Sequence, residues 1–408
     1  MDFCKRCEVA VAGGGIAGVA AAVQAARCGK KTVLIEKSVY CGGLATGGLI
    51  YIYLPLCDGN GRQVTFGIAE ELLRRSMKYG PGDVPSAWRL GKEAGERNRF
   101  RNVFSPAAYI IALDEFLEEN GVEVWFDTVV CGVRCEGEKL EAVTVCNKSG
   151  IGEICAERFI DATGDAELFR KCGVPCHDAD NSLAVWALEF RRGEKDPRTF
   201  GAELGDEVFV FPKNSGSGFR GISGRMVSEY MLASRKILRE RYAEQKENRH
   251  DRYPLFVPSM PQLRKIWSVD AAYVLEGSDE EASFADSIGM AGDWRKAGPV
   301  WEIPYRSLYS LNGPGNLIAA GRIAGASGDA WEITRVIPTA ALTGQAAGMA
   351  AALALEAGVP FRNLDSGILL ASLREAVVLL RRFELQHLIF RFPGQWLREP
   401  RSGGGTSA

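Results

Sequence analysis

Histidine is almost missing from this 408-residue chain, with three in all. A centre built on several imidazoles, for metal or for proton transfer, has too few members here. Tyr, Asp, Glu, Arg or water must then move any proton. Excess charge of one sign is missing as well. The chain has 49 Lys and Arg against 51 Asp and Glu, a net charge of -2, so binding to nucleic acid has no electrostatic support. No second CxxC completes the pair Cys4 and Cys7. Cys131/Cys135 and Cys172/Cys176 do not supply it either, and no metal is expected. Eleven cysteines, odd in number and scattered, suit reduced thiols rather than a disulfide framework. The opening "MDFCKRC" has no apolar signal-peptide segment, so the expected location is cytoplasmic. Long apolar runs are also scarce. The strongest, Val336 to Val359, contains Pro338, Gln345 and Glu356 and is mostly alanine. It reads as a helix buried against a sheet, and no membrane partner is expected.

Glycine is plentiful and well placed. "CEVAVAGGG" is a short apolar run that ends in glycines, the pattern of a buried parallel strand entering a tight turn. Gly13 permits the turn, Gly15 lets the backbone approach a pyrophosphate, and Gly18 lets the next helix pack close to the strand. That helix, "AGVAAAVQAARCG", ends at Gly29, and its free N–H groups and dipole favour phosphate at its start. The following strand, "KTVLIEK", ends on Glu36, whose carboxylate suits ribose hydroxyls. Strand, helix, second strand and acid together indicate a dinucleotide site. A second GxGxxG, at Gly216, Gly218 and Gly221, follows a run broken by Pro212. It precedes a long charged surface helix and reads as a flexible loop rather than a second nucleotide site.

Other pieces separate flavin from nicotinamide. "EKSVYCGGLATGG" adds a glycine pair after the acid, "FIDATGDAELFRKCGVP" is a strand, turn and short helix, and "NLIAAGRIAG" ends on Gly321-Arg322. With "GGGIAGVAAA", "WEIPYRSLYSL" and "TRVIPTAALTGQAAGMAAAL", they span about Glu8 to Leu355. The chain resembles the FAD-dependent oxidoreductases of the glutathione-reductase-like Rossmann class, and within it a large bacterial group that is mostly uncharacterised. The fold this implies is α/β: a discontinuous FAD/NAD(P)-binding Rossmann-like domain with an inserted substrate or cap domain.

The resemblance also implies roles for individual residues. Gly13, Gly15 and Gly18 line the pyrophosphate and Glu36 holds the adenosine ribose. Gly42, Gly43 and Thr46 lie on the path from phosphate to flavin. The backbone of Val129 and Val130 meets the adenine. Ala162, Gly164 and Asp165 form a second cofactor loop, and Gly321 and Arg322 lie near the ribityl chain. Arg335 to Ala341, with Val336, Thr339 and Ala340, pass close to the flavin ring. Ile16, Ala17, Lys37, Ala45 and Thr163, in the same segments, are counted with the cofactor site. The helix after Pro338 would turn its N–H groups toward the flavin edge that becomes negative on reduction.

The sequence departs from better-known members in two ways. "GGLATGG" carries no redox cysteine pair, and Cys41 stands alone before the glycines. FAD is therefore expected without a covalent link, and a dithiol mechanism is not. Fumarate-reductase-like members use His and Arg, but His177, His250 and His387 here suit structural or surface roles. Candidate catalytic residues are Arg335, Arg306, Tyr305 and Asp58. Each has a plain alternative, an ion pair with Glu332 or another carboxylate, or the cap of a turn.

The expected divisions are 1–180 for the first part of the FAD domain, with 57–101 as an insert looping over the site, and 181–299 for the cap. Residues 300–360 complete the FAD domain, 361–398 form an amphipathic helical segment, and 399–408 a disordered tail. The favoured activity is hydride transfer between flavin N5 and a small, possibly anionic, organic substrate. The alternative is an electron-transfer subunit that works with a redox partner. No feature of the sequence sets an oligomeric state.

Overall fold

The strand Phe3–Ala12 alternates its side chains between two cores. Val9 and Val11 pack with the helices, while Ala10 and Ala12 face the other side with Val33, Ile35 and Phe159. The computed structural model describes residues 1–80, 102–192, 206–210, 215–244, 246–382 and 384. Its helices are α1 (Ile16–Arg27), α2 (Ile68–Ser76), α3 (Pro106–Glu119), α4 (Glu167–Lys171), α5 (Gly224–Glu244), α6 (Gly328–Thr334), α7 (Ile337–Ala357) and α8 (Ser366–Glu375).

The central sheet is α/β and Rossmann-like. Glu123–Trp125, Thr32–Ile35, Phe3–Ala12 and Gly150–Asp161 run parallel in that spatial order. The long strand Gly150–Asp161 does two jobs on its far edge. Residues 150–155 pair antiparallel with Lys139–Asn147, which pairs with Val129–Glu136 to make the meander expected there. Residues 159–161 pair parallel with Leu317–Ala319. Turns after Ala12, Ile35, Asp161 and Ala319 therefore open at the same end of the sheet, where parallel α/β sheets bind ligands.

Helices α1 and α7 cover one face in close contact. An added Cβ at Gly344 would run into the Ala17 carbonyl, and one at Gly348 into that of Ala21. The alanines of α1 that face α7 are fully buried. Such an approach needs side chains of one carbon or none, which explains the alanine-rich composition of both helices. Among the described residues no single helix is long and apolar enough to cross a membrane.

The segment inserted after residue 180 has its own small sheets. Ala187–Arg191 lies between Asp206–Val210 and Arg252–Phe256, and Asn181–Leu183 pairs with Ser215–Phe219. Helix α5 packs on it through Leu238, near Val185 and Ala187, and through Tyr230, whose hydroxyl donates to the Ala184 carbonyl at 2.9 Å.

Several expectations change. The stretch read as a loop around Gly216 is partly strand, Ser215–Phe219, because Asn181–Leu183 offers it an edge. Helix α5 ends at Glu244, which leaves His250 in a turn. The supposed insert contains α2, whose Ile68, Leu72 and Leu73 are buried in the main core; residues 81–101 lie outside the described residues. The core resumes before residue 300, since Leu275, Ile288 and Ala291 belong to it. Among the described residues of 361–398, the helical reading holds for α8 and fails after it, and 385–398 lie outside the described residues. Val377 has a positive φ of 64°, and the chain then extends so that Val378 and Leu380 are buried. The Leu380 carbonyl accepts from the Ser287 hydroxyl at 2.6 Å. His387 and the tail 399–408 fall outside the described residues.

Candidate active site

The first glycine turn is shaped by two different demands. Gly13 has φ +97°, and a Cβ there would lie 2.5 Å from the Ala162 carbonyl oxygen. Gly18 is pressed against the Gly13 carbonyl. These two are glycine because the protein leaves no room. Gly15 differs. Its φ of -65° and ψ of 176° are open to any residue, and an added Cβ would meet nothing within 4 Å. Bare backbone at the start of α1 thus faces open space, a cradle that a side chain would fill.

That space belongs to an open cavity at the end of the sheet. At one end lie Ile35, Glu36, Lys37, Ser38 and Thr128 to Val130. Glu36 is held by backbone donors: the Gly14 N–H reaches Oε2 at 2.6 Å and the Ser38 N–H reaches Oε1 at 2.7 Å. A carboxylate has about four acceptor positions, so about two remain for hydroxyl groups. The middle is formed by Gly13, Gly15, Ile16, Ala17 and the turn Ala162 to Asp165. Asp161, fully buried, shapes that turn by accepting from the Thr163 hydroxyl at 2.7 Å and the Leu168 N–H at 2.8 Å. The rest of the wall is Gly42 to Ala45, with Gly42 bridged to Gly15, and Met260, Gly321, Arg322, Arg335, Ile337 and Ala340. Arg322 donates to the Gly164 carbonyl at 2.6 Å and the Leu263 carbonyl at 2.8 Å, and pairs with Asp165 at 3.1 Å.

Four of the cofactor candidates stand behind the wall. Gly18 packs α1 on its strand. Thr46 donates to the Cys41 carbonyl at 2.7 Å and braces the glycine turn. Val336 is the N-cap of α7. Thr339 is fully buried, and its hydroxyl has no hydrogen-bond partner among the described residues.

The catalytic candidates separate sharply. Arg335 lies on the cavity wall, at the corner where α6 and α7 meet at 79°. Its guanidinium pairs with Glu332, and its Cζ sits 5.6 Å from the Trp294 ring centroid. The other three do not line the cavity. Arg306 pairs with Asp286 at 3.0 Å, and the Tyr305 hydroxyl donates to the Phe361 carbonyl at 3.0 Å. Asp58 caps a turn by accepting from the N–H groups of Asn60 at 2.8 Å and Arg62 at 3.1 Å. Each is absorbed by a local structural role. Cys41 is fully buried, and burial first, then Glu36 and Asp114, pushes its thiol well above the ordinary range. Among the wall residues absent from the sequence reading, Leu44 lay inside a recognised motif. Met260 sits in a segment with no motif at all.

Burial works to raise Glu332, but Arg335 and then Lys265, at 2.9 Å, hold its carboxyl below the ordinary 4.5. A depressed acid stabilises the fold above its unfolded value and loses that contribution as pH falls through the folded value. Glu332→Gln should therefore lower stability at neutral pH by about 2 kcal/mol, and the deficit should vanish in acid. Urea unfolding of both proteins at pH 7 and pH 3 checks this; an equal deficit at both would contradict it.

Comparison with known proteins supplies the class. A family model described as FAD dependent oxidoreductase matches residues 8–185 and 225–377. The chain belongs to this family. It is an FAD-dependent oxidoreductase, and its cofactor is FAD. None of the curated proteins compared matches the chain. Among solved structures, a geranylgeranyl bacteriochlorophyll reductase-like protein from Thermoplasma acidophilum is 16% identical. The match covers 95% of this chain and 91% of that one, with a TM-score of 0.49. CabE, an aromatic hydroxylase from angucycline biosynthesis, is 14% identical over 94% of this chain and 71% of its own, with a TM-score of 0.48. Likenesses this distant bear on neither substrate nor reaction.

The oxidoreductase's cavity fits the cofactor on its own evidence. The side-chain-free cradle at Gly15, the acceptor Glu36 and two helix N-termini opening on one cavity suit a dinucleotide with an anionic centre.

Proposed function

We propose that this oxidoreductase moves a hydride between a small organic substrate and FAD held non-covalently in the cavity. When bound, the flavin supplies two-electron chemistry at N5. The observation that carries this reading is that the open Gly15 cradle and the corner at Arg335 both stand on the wall of one cavity. In this reading the start of α1 holds the pyrophosphate and Glu36 the ribose hydroxyls. The start of α7, with Ile337 and Ala340 on the wall, holds negative charge that the flavin ring gains on reduction. Arg335 orients the ring or the substrate beside it, and Glu332 fixes the guanidinium. The buried, protonated Cys41 supports a non-covalent cofactor. The proposed division keeps an FAD domain and a cap, with the cap's Met260 closing one wall, and we place the protein in the cytoplasm.

The test is the visible spectrum of the purified protein before and after heat denaturation, followed by anaerobic bleaching with small organic molecules. FAD in the supernatant and bleaching by the isolated chain are expected. Arg335→Ala should lower FAD retention or bleaching rate about tenfold; a variant unchanged in both would remove Arg335 from the site. Flavin colour that stays with the precipitate would contradict non-covalent binding. Bleaching only after a copurified partner is added would favour the electron-transfer reading.

A further inference from the structure

Cys131 and Cys135 are neighbours in the sequence, as are Cys172 and Cys176, but the fold pairs them differently. The Sγ atoms of Cys135 and Cys172 lie 3.5 Å apart, across 37 positions of the chain. Cys135 is on the strand Val129–Glu136, and Cys172 is the C-cap of α4. Both are free thiols. Strand and helix are held together beside the pair. Lys171 Nζ donates to the Cys131 carbonyl at 3.3 Å, and Val133 and Cys172 pack against the same apolar cluster.

A disulfide holds its sulfurs about 2.0 Å apart, so these two must come closer. The backbone has slack on both sides. The ladder to Lys139–Asn147 shifts register between Arg134 and Cys135, so regular pairing does not fix the strand there. Gly173, next to Cys172, has φ +79°, and a Cβ added to it would meet nothing within 4 Å. The two thiols differ in access. Cys135 is exposed, whereas Cys172 is only partly so. Burial first, then Cys135 beside it, with Asp161 adding to them, pushes the Cys172 thiol well above the ordinary range. Cys172 therefore stays protonated and shielded, and a soluble oxidant meets Cys135 first.

We propose that Cys135 and Cys172 form a redox modification site, a dithiol that peroxide converts to a reversible disulfide. The Cys135 sulfur takes a hydroxyl from hydrogen peroxide as the O–O bond breaks, and one water leaves with the thiol proton. The Cys172 sulfur then attacks the sulfenic acid and forms the S–S bond. The displaced hydroxyl departs as a second water with the Cys172 proton. Two thiols are oxidised and one peroxide is reduced to two waters. A small dithiol reverses the change by exchange.

The bond acts on the cavity through the elements it joins. The strand begins at Val129 and α4 at Glu167, and both residues line the cavity. A cross-link restrains any opening that parts α4 from the strand, and FAD should then leave more slowly. This half rests on the reading of the cavity as the FAD site. Cys4 and Cys155 also approach, with sulfurs 3.7 Å apart. They stand on strands already joined by a parallel ladder over residues 3–12, so a bond there adds little restraint.

The FAD-loaded protein is treated with hydrogen peroxide, its remaining thiols are blocked, and its peptides are mapped with and without dithiothreitol. A Cys135–Cys172 cross-linked peptide that dithiothreitol removes is expected. Tm should rise by a few degrees, and FAD release on dilution should slow about threefold or more. Cys135→Ser should abolish the cross-link and both shifts, while Cys131→Ser should keep them. Should Cys135→Ser not fold, Cys172→Ala serves in its place. Cysteines oxidised only singly would overturn the proposal, as would a bond at Cys4–Cys155 without one at Cys135–Cys172. Shifts that persist in Cys135→Ser would do the same. A cross-link that leaves FAD release unchanged refutes the hold on the cavity. A protein that never takes up FAD contradicts the reading of the cavity, and the peptide map still decides the modification site.

Discussion

Gly15→Val should give a folded chain with less than about a tenth of the wild-type FAD. The backbone at Gly15 is in an extended conformation that valine adopts freely, and an added Cβ meets no protein atom within 4 Å. The fold therefore has nothing to lose. The new side chain occupies the space over the first turn of α1, where a pyrophosphate would receive the helix N–H groups. Flavin absorbance per chain after reconstitution, with a thermal melt of the apo forms, measures both halves. Full FAD content in the variant would show that the cofactor does not cross this turn. Gly18→Ala makes the contrast, because its Cβ would collide with the Gly13 carbonyl. That variant should lose stability whether or not FAD is present.

Gly344→Val should destabilise the protein by about 3 kcal/mol or more and lower Tm by several degrees. The substituent would enter the Ala17 backbone, with Gly348 against Ala21 one turn further along. Neither helix can give way easily, since α1 is clamped on its strand and α7 is buried along most of its length. Separation of the two helices would also move Ala17 and Ala340, which both line the cavity beside Gly321. Added FAD should thus recover less of the Tm in this variant than in wild type. Calorimetry with and without FAD tests it. An unchanged Tm would mean that the helices are not in the close contact described.

The parts legible in the sequence were those governed by neighbours along the chain. Strand Phe3–Ala12, the turn at Gly13, helix α1 and the acid Glu36 occupy one βαβ unit, where period, turn geometry and reach are local. The meander from Val129 to Asp161 was visible for the same reason. The helix expected through 361–398 shows the limit. Its apolar spacing continues past Glu375, but Val378 and Leu380 serve an extended segment buried beside Ser287, a partner 93 positions away in the chain. Periodicity records that a side chain is buried and not what buries it.

The candidate site divides along the same line. A glycine next to a strand declares its purpose in sequence, because few other demands put it there. An arginine or tyrosine does not. Arg306 and Tyr305 stood as candidates behind Arg335, and only the structure shows Asp286 and the Phe361 carbonyl absorbing them. Met260 carried no signal at all, and only the folded chain brings it to the wall.

By itself, the sequence determined the glycine turn and the Rossmann-like sheet, since backbone geometry and short-range spacing encode both, and its resemblance to a family implied FAD. Only the tertiary structure decided which of the candidate arginines stands on the cavity wall, because the pairings that hold Arg306 elsewhere and fix Glu332 beside Arg335 join residues from separate segments of the chain.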